Sequence, residues 1–320
     1  MGARKMFNIC ISLVIFSSTW PEKPFFLADK VYRIPNSSVD TKLLFLKDDT
    51  LLVASLTSKG DTNLYRLRKG ENLEFFKKID DHINQLAYGA ETDSCFFSTN
   101  SGLIFKINKS NDFQIEEIVN CKQRISRIWI SQNESRIIAA GTDGRIFDID
   151  VRLKRIKKTY HSNQKYAILS IDVDTKHEIM YFGTADAMIY KYDFNKNKST
   201  QEYGIHTGKV NKIILHDSAA KMLSLSGHGS IIDTELGNNK DKKVYDLPME
   251  PVIDAKLINN ILVVAWEGGF MTMHNLADGK MDFVNKKELY LSIFSFACSN
   301  DLKILAIANK FNELKIYKKK

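Results

Sequence analysis

The residues that could perform chemistry in this chain are dispersed along it. Neither the His-Glu-x-x-His pattern of a zinc protease nor a Gly-x-Ser-x-Gly nucleophile elbow occurs, and phosphate-binding and dinucleotide-binding glycine motifs are absent as well. The sequence therefore predicts a protein that is not an enzyme, with no catalytic, cofactor-binding or metal-binding residues. The seven histidines are His82, His161, His177, His206, His216, His228 and His274.

The four cysteines show no spacing typical of a metal site or a redox pair. Cys10, Cys95, Cys121 and Cys298 are each isolated in the sequence. Free cysteine is among the most buried residue types, and unpaired thiols are typical of reducing compartments. We therefore expect these residues to be small buried side chains of a nuclear or cytoplasmic protein.

Positive charge is concentrated in one part of the chain. The formal net charge is +8, and residues 122–165 contain eleven Lys or Arg against four Asp or Glu, a surplus of seven. Such a basic region favours an acidic partner: a phosphopeptide, an acidic protein surface or nucleic acid. The alternative is that residues 154–158 form a solvated outer strand whose charges discourage edge-to-edge pairing.

The N-terminal segment has some features of a secretory signal. Arg4 and Lys5 precede an apolar run at residues 9–16, and small residues follow. The run is short, and Phe16 lies where a cut after Ser18 would need a small residue. We expect residues 1–28 to lie outside the folded body, as a disordered extension or as a signal peptide. No segment is apolar for long enough to span a bilayer, so no membrane partner is expected.

The candidate side chains must be positioned by a unit that repeats seven times. The steps between the first strands of successive units are 44, 42, 43, 42, 42 and 39 residues. A period of about 40–45 residues with several strands per unit is typical of propeller blades. The sequence predicts an all-β, seven-bladed propeller of four-stranded antiparallel blades over residues 29–320. Its first strands begin at Val39, Ile83, Ile125, Ile168, Val210, Val252 and Leu291.

The third unit shows the four predicted strands in detail. The tight turn Gly141-Thr142-Asp143-Gly144 separates two runs in which apolar residues alternate with polar ones. Its predicted strands cover residues 125–130, 136–140, 145–150 and 155–160.

The last unit is one strand short, which would leave a sheet edge unpaired. Residues 30–34 have the alternation of the missing strand. We expect this segment to pair with residues 314–317 and to close the ring as the outer strand of the seventh blade.

Three features of the chain resemble the WD-repeat (WD40) propellers over residues 30–320: the turn of the third unit, the pair Ile149-Asp150 and the pair Tyr192-Asp193. The Trp-Asp pair itself never appears intact. The resemblance implies that certain His and Asp residues set blade geometry through buried hydrogen bonds. These residues are His82, Asp143, Asp186 and His206.

Within that family, residues 48–67, 165–170 and 299–308 are similar to the spindle-checkpoint and messenger-RNA-export propellers of the Bub/Rae type. That similarity implies a kinetochore or nuclear-pore partner presenting a short helical or phosphorylated segment. One departure is Ser230, which stands where that group carries an Arg that helps to hold a phosphothreonine.

The predicted function is a non-catalytic scaffold that binds short peptide motifs, acidic or phosphorylated, on the loops of the top face. Trp266 is the candidate aromatic anchor, and Arg145, Lys209 and Lys212 are the candidate contacts to phosphate or carboxylate. Two alternatives stay open: a secreted or lumenal binding propeller, and a propeller enzyme whose acids or metals converge on the central channel. Nucleic acid is a weaker expectation, because exposed aromatic residues do not interleave with the basic ones.

Overall fold

Seven four-stranded antiparallel sheets form a closed ring in the computed structural model. It describes residues 26–35, 40–162, 166–203, 206–237, 242–245, 250–285 and 292–319. Within these residues the only helical element is a 3-10 turn at Lys109–Asn111. Residues 1–25 of the predicted N-terminal extension and the predicted strand starts Val39 and Leu291 lie outside them.

Each blade consists of four strands, which are named in order from the channel outward. Blade one is β2 (Thr41–Phe45), β3 (Leu51–Leu56), β4 (Thr62–Leu67) and β5 (Glu74–Ile79). Blade two is β6 (Ile83–Gly89), β7 (Ser94–Thr99), β8 (Leu103–Asn108) and β9 (Gln114–Asn120). Blade three is β10 (Ile125–Ile130), β11 (Arg136–Gly141), β12 (Arg145–Asp150) and β13 (Arg155–His161).

The next three blades repeat the same order. Blade four is β14 (Ile168–Asp174), β15 (Ile179–Thr184), β16 (Ile189–Asp193) and β17 (Lys198–Tyr203). Blade five is β18 (Val210–His216), β19 (Lys221–Ser226), β20 (Ile231–Glu235) and β21 (Lys242–Tyr245). Blade six is β22 (Val252–Ile258), β23 (Ile261–Trp266), β24 (Met271–Asn275) and β25 (Met281–Asn285).

Blade seven joins the two ends of the chain, as predicted. It consists of β26 (Ile293–Cys298), β27 (Ile304–Asn309), β28 (Glu313–Lys319) and β1 (Phe26–Arg33). Strand β1 pairs antiparallel with β28, and Lys30 faces Ile316. It begins at Phe26, inside the segment predicted to lie outside the ring.

The hydrophobic core lies between neighbouring blades. The central strands are buried on both faces, as in β3 and β11, because a blade packs on each side of them. The outer strands β5 and β13 are mostly exposed. Between blades three and four, Ile138 and Ala140 pack with Met180, Phe182 and Tyr190. Repeated around the ring, this close packing makes the propeller one rigid body.

The inner strands meet in a ring around the central channel. Contacts run in order from β2 through β6, β10, β14, β18, β22 and β26 and back to β2. In the six inner strands other than β2, the register with the second strand shifts directly after the first residue, as between Ile125 and Arg127. Such β-bulges redirect side chains at defined positions, in this ring toward the channel. We call the face at which the inner strands begin the top face.

Candidate functional site: the central channel and the top face

A cavity of about 200 Å³ occupies the central channel, and every inner strand contributes to its wall. One polar residue per blade stands at the equivalent position, two residues after the strand start in the bulged blades. We call these seven residues the polar ring: Lys42, Gln85, Arg127, Ser170, Lys212, Asp254 and Ser295.

Neutral members of the polar ring connect neighbouring blades. Gln85 accepts a hydrogen bond from the Ile128 amide at 2.7 Å and donates to its carbonyl at 3.2 Å. The Ser295 hydroxyl accepts from the Leu43 amide at 3.2 Å, between blades seven and one. Ser170 donates to the Val210 carbonyl at 3.4 Å. These bonds hold inner strands together where no backbone ladder does.

Residues one position earlier in the inner strands connect blades in the same way. Asn84 donates to the Ile125 carbonyl at 2.9 Å, and Asn211 donates to the Val252 carbonyl at 2.7 Å. Ser126 donates to the Ile168 carbonyl at 2.7 Å. The bulged carbonyls are thereby satisfied, which matters because an unpaired buried polar group costs about 1–3 kcal/mol.

Three of the four charged members of the polar ring are paired. The Lys212 ammonium lies 2.8 Å from Asp254 across the boundary between blades five and six. The Lys42 ammonium lies 2.5 Å from Asp40, which also contacts His82 at 2.7 Å. Both lysine ammonium groups therefore have a carboxylate as counter-charge.

Arg127 is the charged member without a carboxylate contact among the described residues. Its guanidinium donates to the Ser126 carbonyl at 2.7 Å. The side chain is half-buried: water reaches it through the channel, but protein surrounds it. This burial lowers the pKa of Arg127, and the charges of Asp254 and Asp40 oppose the shift. A guanidinium stays protonated at neutral pH nevertheless.

The structure separates the four predicted contact residues. Lys212 lies in the polar ring, and Lys209 is exposed just before β18, with its stem over Gly227. Arg145 lies at the start of β12, where it contacts Asp143 at 2.6 Å and Gln123 at 2.6 Å. One partner therefore lies in the turn before β12, and the other in the connection that leads into β10 of the same blade.

Trp266, the candidate aromatic anchor, is buried in the structure. The side chain is 0% exposed, and its indole N–H donates to the Thr272 hydroxyl at 2.8 Å. The ring stacks on Phe270 with a centroid distance of 5.8 Å. Trp266 ends a central strand that blades cover on both sides, so it belongs to the core.

Much of the positive charge of blade three lies on its outer strand. Arg155, Lys157 and Lys158 of β13 are exposed, and the neighbouring Lys154 pairs with Glu116 at 2.7 Å. These charged side chains therefore lie in solvent along the edge of the sheet, which agrees with the alternative that they discourage edge-to-edge pairing. Arg127 differs from them because it lines the channel, and the exposed Arg124 directly precedes β10 on the top face, close enough for its charge to act on Arg127.

The two histidines assigned a structural role, the buried His206 and the half-buried His82, have structural partners. His206 contacts the hydroxyls of Ser230 at 2.7 Å and Ser224 at 2.8 Å, and burial lowers its pKa to about 4. His82 contacts Asp40 and, at 3.2 Å, Asn100. These contacts agree with the geometric role that the family resemblance implies for both residues.

The two acids assigned a structural role have similar local partners. Asp186 accepts hydrogen bonds from the Thr184 and Tyr190 hydroxyls. Asp143 accepts from the Arg145 amide at 3.0 Å. Each therefore holds the turn in which it lies.

Cysteine thiols and metal ligands offer no further site in the described part of the chain. Cys95, Cys121 and Cys298 are buried and free, and burial raises the pKa of Cys121 to about 12. Within the same residues, no group of three or more His, Cys, Asp or Glu side chains could hold a metal ion. Cys10 lies outside them.

Comparison of the sequence with protein-family models and with curated proteins finds no match. The seven-bladed ring of four-stranded antiparallel sheets is consistent with a propeller of the WD-repeat type. Among the described residues, no helix combines the length and the apolar character needed to cross a membrane.

Sequence reasoning missed the polar ring and the position of Arg127. A signal was present in the repeat: two residues after the apolar starts Ile83, Ile125, Ile168, Val210, Val252 and Ile293 stands a polar residue in every case. The alternation of apolar residues does not by itself show which way these polar side chains point. The bulge that turns them toward the channel arises from the pairing of the strands.

Proposed function

We propose that this protein is a non-catalytic interaction scaffold whose top face binds a short acidic or phosphorylated motif of a larger protein. The observation that carries the proposal is the cationic mouth of the channel. Arg127 has no carboxylate contact among the described residues, and the exposed cations Arg124 and Lys209 lie on the same face.

The architecture suits such a role because the frame is rigid and the loops are accessible. Rigid elements that position exposed loops are the usual setting for binding sites, since little conformational entropy is lost on association. Cations at the rim mainly accelerate encounter with an acidic partner, while a desolvated guanidinium contributes directional hydrogen bonds. Binding should therefore weaken as salt is added.

A specific form of the proposal is a kinetochore or nuclear-pore adaptor in the nucleus or cytoplasm. It is supported by the similarity of residues 48–67, 165–170 and 299–308 to the Bub/Rae-type propellers. Ser230 limits the analogy, because its hydroxyl contacts His206 at 2.7 Å. A phosphothreonine contact in blade five is therefore not part of the proposal, and the anion contact is assigned to the channel mouth instead.

Affinity co-purification with mass spectrometry tests the proposal. The test variant carries Arg124→Glu and Lys209→Glu, and the control carries Arg155→Glu and Lys157→Glu on the outer strand of blade three. Both change the net charge equally at exposed positions. We expect the test variant to lose most of each specific partner, and the control to retain it at the wild-type level.

The same capture repeated at rising salt should reduce partner recovery steadily. Phosphatase treatment of the lysate shows whether phosphate on the partner contributes. Identical partner sets and yields for the test variant, the control and the wild type would contradict a cationic top-face site.

A further inference from the structure

The channel contains a guanidinium whose hydrogen-bonding capacity is largely unused. Arginine carries five N–H donors in a planar fork. In Arg127, one of them reaches the Ser126 carbonyl at 2.7 Å, and no carboxylate of the described residues forms an ion pair with it. The other two cations of the polar ring, Lys42 and Lys212, lie 2.5 and 2.8 Å from carboxylates.

Charge balance in the channel points to an anion. The polar ring holds three cations, Lys42, Arg127 and Lys212, and the carboxylates of Asp40 and Asp254 pair with the two lysines, which leaves Arg127 without a paired counter-charge. A charge that is removed from bulk water without a partner is costly, so an arrangement of this kind favours a counter-ion. The ion must be negative, because Arg127 cannot give up its proton at neutral pH.

The shape of the cavity also suits a small oxyanion. Its volume of about 200 Å³ is more than ten times the roughly 10–15 Å³ that a cavity needs to hold one water molecule, so a phosphate group fits together with some water. A planar guanidinium matches two oxygens of a phosphate or carboxylate at once. The Lys212 ammonium has further protons beyond the contact to Asp254 and lines the same cavity.

We propose that the central channel is an oxyanion-binding site in which the Arg127 guanidinium makes a two-pronged contact with a phosphate group. The phosphate is either free inorganic phosphate or the phosphorylated side chain of a bound peptide. In the second case the inference rests on the proposed scaffold function and defines its anchor.

A thermal-shift titration of the full chain tests the site without a partner. The melting temperature is measured in increasing sodium phosphate, against sodium chloride at matched ionic strength, for the wild type, Arg127→Gln and the control Arg155→Gln. A ligand that binds only the folded state raises the melting temperature with concentration. We expect a saturable rise for the wild type and the control, and at least a tenfold weaker apparent affinity for Arg127→Gln.

Arg127→Lys is a second variant that separates loss of phosphate binding from a defect in folding. It retains the charge and the aliphatic stem but loses the fork, so we expect wild-type melting in chloride with weakened phosphate binding. The proposal is overturned if the wild type shows no phosphate-specific shift, or if Arg127→Gln and Arg127→Lys, each melting in chloride like the wild type, shift as much as it does.

A second measurement separates the two sources of phosphate. Fluorescence anisotropy compares a short labelled peptide containing phosphoserine with its unphosphorylated twin, and inorganic phosphate serves as competitor. Phosphate-dependent peptide binding that Arg127→Gln abolishes assigns the site to a phosphorylated motif. Binding of inorganic phosphate alone assigns it to the free ion, and the scaffold proposal then depends on the Arg124 and Lys209 capture experiment by itself.

Discussion

Closure of the ring by β1 predicts how much stability the protein loses when Phe26 is truncated. Phe26 lies at the start of β1 and is 0% exposed, packed in the core between blades six and seven with Val263, Ile307 and Tyr317. Val31 lies on the same strand but is 56% exposed. Phe26→Ala therefore tests the packing that seals the ring, and Val31→Ala is its matched control.

The expected size follows from burial. Phe→Ala in a core costs about 3–5 kcal/mol of unfolding free energy, because apolar transfer is lost and a cavity remains. An unfolding entropy of about 2.1 cal/mol/K per residue gives about 0.6 kcal/mol per degree for a chain of roughly 300 residues. Phe26→Ala should then lower the melting temperature by about 5–8 °C. Val31→Ala should cost less than about 1 kcal/mol, or under about 2 °C.

Differential scanning calorimetry and urea unfolding measure both variants against the wild type. If β1 closes the ring, Phe26→Ala also exposes a sheet edge more often, and aggregation on heating should begin earlier. A melting temperature for Phe26→Ala within 1–2 °C of wild type, as for Val31→Ala, would refute the closure by β1.

Two further predictions concern buried groups. Burial lowers the pKa of His206 from an unfolded value near 6.5 to about 4, so the unfolded state binds the proton first as the pH falls. Above about pH 7 neither state binds this proton, and the free energy of unfolding is unaffected. As the pH falls toward 4, protonation of His206 in the unfolded state lowers the free energy of unfolding, by about 2 kcal/mol at pH 5. His206→Asn should reduce the loss of stability between pH 7.5 and pH 5 in urea unfolding, and an unchanged loss would contradict this. Gly102 and Gly60 both have positive φ, +94° and +88°, but a Cβ at Gly102 would lie 2.3 Å from the Gln123 carbonyl oxygen, while Gly60 faces open space. Gly60→Ala should cost about 1 kcal/mol and Gly102→Ala about 2–4 kcal/mol, and equal urea midpoints for the two variants would contradict the close contact.

The repeat and the closing strand could be predicted because they depend on local patterns. Alternation of apolar residues has a period of two in any strand, so the limits of β10 agree with the predicted residues 125–130. The incomplete last unit is likewise a local signal: a blade one strand short requires a strand from elsewhere, and residues 30–33 of the predicted segment are part of β1. A structural role for His206 was anticipated in another way, through the family resemblance.

The direction of individual side chains could not be predicted in the same way. Trp266 stands at the end of a central strand and precedes a polar Glu-Gly turn, which by sequence is compatible with exposure as well as burial. Its indole is buried because Thr272 lies within hydrogen-bonding distance and Phe270 covers its face. Such a contact depends on how the two strands pair across the turn.

The amino-acid sequence alone determined the number of blades, the order of their strands and the segment that closes the ring, since these follow from short-range alternation repeated about every 42 residues. Only the tertiary structure decided that Arg127 lies in the channel without a carboxylate contact in the described residues, while Lys212 lies 2.8 Å from Asp254. Contacts across the channel join residues from different blades, and their geometry is set by β-bulges and by ring closure, neither of which a single repeat contains.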